Sequence, residues 1–195
     1  MGSYTIISDI GNLMTGLLKE HMVPDMIVNG DAIGMCSPAE KENISMGLYL
    51  YDLRESGDVR VNGMQPAGIS RQKFPPIYLD LYYMLTAYSM SDSKFRAAEE
   101  QRMLGRAIQL FKDHPSINLE TMTFGAAAGS ESAKIEMLSM EPAEKMKLWN
   151  NPNSGYRLSV FYKVSPVPVE SERSTAVRRV TQIDMSVEEY GAKGR

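Results

Sequence analysis

The 195-residue sequence has few of the residues that metal and nucleophilic sites use most often. It contains one cysteine, Cys36, and two histidines, His21 and His114. A single thiol cannot form a disulfide within the chain, which is typical of proteins made in a reducing compartment. The cysteine and the histidines also lack the spacing of metal ligands. We therefore expect no bound metal and no cofactor.

The sequence also lacks an excess of basic residues and a long apolar run. Its 21 Lys and Arg and 24 Asp and Glu residues give a net charge of -3, which does not favour a nucleic-acid partner. No apolar run approaches the roughly 20 residues that span a bilayer. Asp9 and Lys19 interrupt the N-terminal segment, so it lacks the pattern of a signal peptide. We expect a soluble protein, made in the cytoplasm, that binds no nucleic acid and does not insert directly into a membrane.

Apolar residues make up 43% of the chain, which is enough for one domain with a hydrophobic core. Helical periodicity predicts a first helix from Ile6 to Leu18, ended by Pro24, and a long helix from Asp92 to Asp113. Apolar patterns predict strands, the clearest being Met46–Leu53, Ile77–Ala87 and Tyr156–Val164. The mixture of strands and helices, without strict alternation, favours an α+β fold with a mixed, mainly antiparallel central sheet flanked by helices.

Shorter patterns complete the predicted fold. Met26–Gly30 is predicted as a short strand, Gly68–Pro76 as a loop, and Glu141–Asn150 as a short helix. The strand Met46–Leu53 is apolar on both faces, so we expect it inside the sheet. Strict alternation puts three of its residues on one face and three on the other, namely Leu48, Leu50 and Asp52 against Tyr49, Tyr51 and Leu53.

One acid, Asp80, interrupts the most apolar strand and lies between Tyr78 and Tyr82 in sequence. An acid in that place is either a catalytic group with a raised pKa or a group that pairs with Arg or tyrosine hydroxyls at an interface. No second catalytic partner is visible in the sequence, so we expect pairing. The aromatic face of this strand, which includes Tyr88, is expected to lie under helices or against a neighbouring subunit.

Two short motifs resemble parts of known catalytic or phosphate-binding sites, but the other elements of those sites are absent from the sequence. Ser91-Asp92-Ser93-Lys94 has the Ser-x-x-Lys spacing of penicillin-recognising enzymes, but the S-D-N and K-T-G elements of those enzymes are absent. It is interpreted as the N-cap of the long helix. Gly125–Ser130 is rich in small residues but has no phosphate-binding lysine, so it is interpreted as a loop. We assign no catalytic residue.

The composition changes after Pro166 and Pro168. We therefore divide the chain into a core domain, residues 1–165, and a proline-punctuated linker with a C-terminal arm, residues 166–195. Ile183, Met185 and Val187 alternate with polar residues, which predicts an isolated strand that a partner sheet could pair with. A final edge strand of the same sheet, or a frayed terminus, is the alternative.

Five segments, taken in order, resemble one protein family. They are "CSPAEKENISMGLYLYDLRESGDVR", "PPIYLDLYYMLTAYS", "EEQRMLGRAIQLFKDHP", "KIEMLSMEPAEKMKLWN" and "YRLSVFYKVSPVPVESER". Together they resemble the N-terminal domain of the cap, or tail-terminator, protein of extracellular contractile injection systems, which are phage-tail-like particles. The resemblance runs from the first helix to about Val180.

The resemblance implies a structural protein and no enzyme. Such caps form hexameric rings at the end of the tail distal to the baseplate, where they bind the last tube and sheath rings and stop polymerisation. The implied partners are further copies of the chain, the inner-tube protein and the sheath protein. Similar caps add a strand of their C-terminal extension to the sheath, which implies a sheath-binding arm here formed by Val177, Arg178, Arg179, Val180, Ile183, Met185 and Val187.

Alternative functions stay open at this point. The chain could be a sheath or baseplate adaptor of the same particle, or an enzyme that acts on a small ligand through Asp80. The sequence leaves open whether the particle is cytoplasmic, attached to a membrane or released from the cell.

Overall fold

The computed structural model describes residues 4–59, 61, 63–68, 70–119, 132–149 and 155–176, which contain three helices and nine strands. The helices are α1 (Ile6–Met22), α2 (Ser93–Asp113) and α3 (Pro142–Leu148). The strands are β1 (Ile33–Met35), β2 (Met46–Glu55), β3 (Gln65–Pro66), β4 (Arg71–Lys73), β5 (Ile77–Ala87), β6 (Ser116–Asn118), β7 (Ser132–Leu138), β8 (Ser159–Val169) and β9 (Ser174–Ala176).

Six of these strands form the central sheet, in the order β1-β2-β5-β8-β7-β6. β1 is parallel to β2, and every other neighbouring pair is antiparallel. The other three strands form a small antiparallel sheet, in the order β3-β4-β9. The α+β class and the mainly antiparallel sheet predicted from the sequence are therefore confirmed.

Helices α1 and α2 pack on one face of the central sheet. α1 buries residues spaced by four, which form one stripe of a helix: Ile6, Ile10, Met14 and Leu18. α2 buries Leu104, Ala107 and Phe111. These side chains share a core with Leu81, Tyr83 and Leu85 of β5, the predicted apolar face of that strand. Each large side chain buried in this way contributes about 1.5–3 kcal/mol.

The opposite face of the sheet carries a second, smaller core. It consists of Met84, Tyr88, Trp149 and Phe161, with Leu148 at the end of α3 packed against it. The Phe161 and Tyr51 rings meet edge to face, with 5.7 Å between their centroids. α3 and Trp149 therefore cover the part of this face near the end of β5 at Ala87.

The register differs from strict alternation at Tyr51. Leu50 is opposite Tyr83 and Asp52 is opposite Tyr82, so Tyr51 is an extra residue in β2. Beyond this bulge Leu53 lies opposite Leu81, on the face that Leu48 and Leu50 occupy. The predicted placement of Asp52 and Leu53 was therefore wrong, because one inserted residue exchanges the two faces.

Other corrections concern short segments. Met26–Gly30 is not a strand, because the Met26 and Ile27 N–H groups donate to the Met22 carbonyl and prolong the turn after α1. The first strand is β1, seven residues later than predicted in its starting position. The predicted loop Gly68–Pro76 contains β4, which pairs on both sides.

The last core strand is longer than the apolar pattern indicated. β8 continues through Pro166 and Pro168 to Val169, which lies opposite Ile77. The domain boundary at 165/166 stays a prediction, although a continuous strand crosses it. In the part of the chain that the structure describes, no helix combines the length and the apolar character that crossing a membrane requires.

Candidate assembly interface

Asp80 lies at an irregularity between β5 and β8. Leu79 is opposite Val167 and Leu81 is opposite Val164, so two residues of β8 stand against the single residue Asp80. One of the two is Pro166, which has no N–H group to donate to a regular ladder. The bulge therefore gives the carboxylate a local environment that alternation alone does not predict.

The Asp80 carboxylate is buried, with 8% of the residue exposed, and it has partners within the chain. The Ser165 hydroxyl donates to Asp80 Oδ1. The Lys163 ammonium lies 3.9 Å from Asp80 Oδ2 and 3.8 Å from a carboxylate oxygen of Glu136. The partners are thus a serine and a lysine, whereas the sequence predicted an arginine or tyrosine hydroxyls.

These residues belong to a line of alternating charges across four neighbouring strands, which we call the charged row: Arg54, Asp80, Lys163 and Glu136. Arg54 of β2 is opposite Asp80 in the register, and Glu136 of β7 is opposite Lys163. The Arg54 guanidinium also binds Asp52 at 2.7 Å. The charged row crosses the second face of the sheet beyond the region that α3 covers.

The charged row is suited to pairing with another surface. Its outer members are exposed, with side-chain exposures of 68% for Arg54 and 56% for Glu136. Its inner members, Asp80 of β5 and Lys163 of β8, carry opposite charges and form an ion pair between these two strands. Among the residues described, no three His, Cys, Asp or Glu side chains converge on a point where a metal ion could bind.

The three tyrosines named on the aromatic face of β5 are in different environments. Tyr88 is 3% exposed and packs with Trp149 in the smaller core. Burial raises the pKa of Tyr88 to about 12. Tyr82 and Tyr78 are half-buried, and the Tyr82 ring lies 5.2 Å below the Arg54 guanidinium. The intrachain core thus accounts for Tyr88, while Tyr82 lies beside the charged row.

The chain that leads to the predicted arm is fixed by the small sheet. β9 pairs with β4, with Ser174 opposite Lys73. The Phe74 N–H donates to the Arg173 carbonyl at 3.1 Å, and the Arg173 guanidinium lies 4.4 Å from the centre of the Phe74 ring. Lys73 also forms an ion pair with Glu170 at 2.5 Å. We call these contacts the arm base.

The predicted arm itself, formed by Val177, Arg178, Arg179, Val180, Ile183, Met185 and Val187, lies outside the described residues. The arm base ends at Ala176, directly before it.

The Ser-x-x-Lys segment lies at the start of α2, as predicted, and its first serine has a partner that the sequence did not indicate. Asp92 is the N-cap residue of α2, but its side chain makes no capping hydrogen bond. The Ser91 hydroxyl donates instead to Glu99 Oε2 at 2.5 Å, and the Ser89 hydroxyl donates to the same oxygen. These hydrogen bonds lower the pKa of Glu99. Sequence reasoning missed Glu99, because its partners come from the turn before the helix.

The fold and the described site define an α+β domain with two sheets, a charged row on one sheet face and a last described strand, β9, that pairs with β4. The chain belongs to the Pvc16 N-terminal domain family, whose model matches residues 9–183. This confirms the family resemblance that the sequence predicted. A comparison with curated proteins found no match.

Two solved structures have a similar fold. One is the sheath/tube terminator of an extracellular contractile injection system, PVC, in the extended state. Its TM-score is 0.64 and its sequence identity is 16%, and the match covers 100% of this chain and 67% of that chain. The other is the anti-feeding prophage cap, a tube-terminating cap; its TM-score is 0.62 and its identity 15%, over 92% of this chain and 61% of that chain. The chain thus spans about two-thirds of the length of either structure.

Proposed function

We propose that this protein is the terminating cap of a contractile injection system. In this proposal it forms a ring, most simply a homohexamer, on the last tube and sheath rings at the end distal to the baseplate, and it stops their polymerisation. The observation that carries the proposal is the family membership over residues 9–183, together with the fold shared with two terminators of such systems.

The described surfaces suit a protein that ends a polymer. A terminator must offer one face that matches the last ring and another that offers no continuing site, and a closed ring meets both requirements. The charged row supplies alternating charges that fix register with a partner, while exposed pairs of this kind add little affinity by themselves. Backbone pairing supplies affinity without a demanding side-chain sequence.

The arm base supports the proposed sheath-binding arm. β9 is an exposed edge strand of the small sheet, and it ends at Ala176, directly before residues 177–195 in sequence. We propose that this segment adds a strand to the sheath, with Ile183, Met185 and Val187 on its apolar side. An edge segment of this kind is an aggregation risk unless a partner covers it.

We propose no catalytic role for Asp80. Its two oxygens already interact with Ser165 and Lys163, and both partners lie in the adjacent strand of the same sheet. A catalytic acid needs a reacting group within hydrogen-bond reach. Three grooves of the described structure are lined by residues other than Asp80, Ser165 and Lys163.

Deletion of Arg178–Arg195 tests the arm. We expect the truncated protein to keep the circular dichroism spectrum of the full chain and to lose co-sedimentation with assembled sheath. A matched pair of variants isolates the strand: Ile183→Asp with Met185→Asp should lose sheath binding, whereas Gln182→Asp with Ser186→Asp, with equal added charge, should retain most of it. Normal sheath capping by the truncated protein, or its unfolding, would contradict the proposed arm.

A further inference from the structure

A groove of about 400 Å³ lies between two connections at one end of the central sheet. One wall is the turn that follows α1, where Val28 is 90% exposed. The other wall is the segment that joins β5 to α2, where Met90 is 68% exposed. Two large apolar side chains thus stand exposed on opposite sides of one groove, an arrangement typical of a surface that a partner covers.

The groove has one negative charge. Glu99 is the single charged residue that lines it among the residues described. The Ser89 and Ser91 hydroxyls hold Glu99 Oε2 in place, so the carboxylate is ionised and fixed. Arg102, three residues later on the same helix, also favours the ionised form. A fitting partner therefore has a basic side chain next to apolar ones.

This chain contains such a segment, Val177-Arg178-Arg179-Val180. It follows Ala176, the last residue of β9, and β9 pairs with β4, which ends four residues before Ile77 at the start of β5. The groove is near the other end of β5, because Tyr88 and Ser89 line it. The 11 residues of β5 span about 33 Å at about 3.3 Å per residue. Four residues reach no further than about 14 Å, less than half the length of β5, which favours the groove of another copy over that of the same chain.

We propose that the groove binds the Val177–Val180 segment of a neighbouring copy, with Arg178 or Arg179 on Glu99 and the valines between Val28 and Met90. The contact joins two different surfaces, so it is heterologous and generates a ring when its rotation closes. This contact rests on the proposed function, because only a ring of copies places a second chain beside the groove. Residues 183–187 remain free to continue to the sheath.

Charge reversal in the full chain tests the pairing, with sedimentation velocity over a range of protein concentration and salt as the readout. Arg178→Glu with Arg179→Glu should weaken self-association by about tenfold, the effect of losing one charge-assisted contact. Glu99→Lys should weaken it similarly, and the triple variant with all three reversals should recover most of the loss. Glu144→Lys, an exposed reversal on α3, is the matched control and should change little.

The arginine variant leaves every described residue unchanged, so it keeps the test valid if Glu99→Lys disturbs the start of α2. A wild-type chain that stays monomeric at every concentration, or a triple variant that recovers nothing, would overturn the proposal. Failure of the cap function is measured separately, because the Ile183 and Met185 variants affect sheath co-sedimentation. We expect those two variants to associate with themselves like the wild type.

Discussion

The Asp80 carboxylate should contribute measurably to folding through Ser165 and Lys163. Asp80→Asn keeps an oxygen that accepts the Ser165 hydroxyl and removes the charge that faces Lys163. Two unit charges about 4 Å apart attract by about 4 kcal/mol at an effective dielectric constant near 20. Burying both charges offsets most of that attraction, so we expect a net loss of about 1 kcal/mol. The actual separation of the two charges is 3.9 Å.

Asp80→Ala should cost more, about 2 kcal/mol, because the hydrogen bond from Ser165 to a charged group is lost as well. Lys163 retains Glu136 at 3.8 Å, which limits the cost of leaving its ammonium partly buried. Urea denaturation measures both variants without adding salt that would screen the ion pair. A double-mutant cycle with Lys163→Met should give a coupling energy of about 1 kcal/mol.

Asp52→Asn is the matched control. Asp52 also pairs with a basic residue, but its side chain is 35% exposed and that of Arg54 is 68% exposed. An exposed pair of this kind contributes at most about 0.5 kcal/mol when its geometry is ordinary. Equal effects of Asp80→Asn and Asp52→Asn, or no coupling between Asp80 and Lys163, would refute the account of the charged row.

Three further predictions concern the cores and are measured by thermal or urea unfolding unless stated otherwise. Tyr162→Phe should stabilise the protein by about 1 kcal/mol, because the Tyr162 hydroxyl is buried without a partner in the described structure; a loss of stability would contradict this. Gly47→Ala should cost about 1–3 kcal/mol, since its Cβ would lie 2.7 Å from Cys36 Sγ. Gly16→Ala, with nothing within 4 Å, is the control and should stabilise α1 by about 0.5–1 kcal/mol. Burial raises the pKa of Tyr88 to about 12, so stability should hold up to about pH 10 and fall as the pH rises toward that value; ultraviolet titration with all tyrosines ionising near pH 10 would contradict it.

Periodicity predicted the elements whose residues are buried on one side. Helix α1 and strand β5 match their patterns because the spacing of Ile6, Ile10 and Met14, and the alternation of Leu81, Tyr83 and Leu85, decide which face is buried. Each of those elements buries one face in the main core. Local sequence is therefore a sufficient guide to them.

The features that failed to follow from the pattern depend on contacts between distant residues. The bulge at Tyr51 exchanges the faces of Asp52 and Leu53, and only the register with β5 reveals it. β4 is three residues long and becomes a strand because β3 and β9 pair with it. The strand propensity of such a short segment depends mainly on its neighbours in the sheet, so its own sequence does not predict the strand.

The candidate site was predicted in part. Asp80 was selected as the acid inside an apolar strand, but its partners Ser165 and Lys163 lie more than 80 residues away in sequence. Lys163 interrupts an apolar strand as Asp80 does. Two opposite charges, each inside a predicted core strand, are therefore the feature of the sequence that could have indicated this ion pair. Their pairing needed the antiparallel register of β5 and β8, with Tyr82 opposite Lys163.

We propose that this protein caps the end of the particle distal to the baseplate. Electron cryomicroscopy of particles assembled with the full chain, compared with particles assembled without it, measures where the protein lies. We expect a ring of density that fits this fold on the last tube and sheath rings at the distal end, and tubes of uncontrolled length when the chain is absent. Density for this chain at the baseplate, or tubes of unchanged length without it, would contradict the claim.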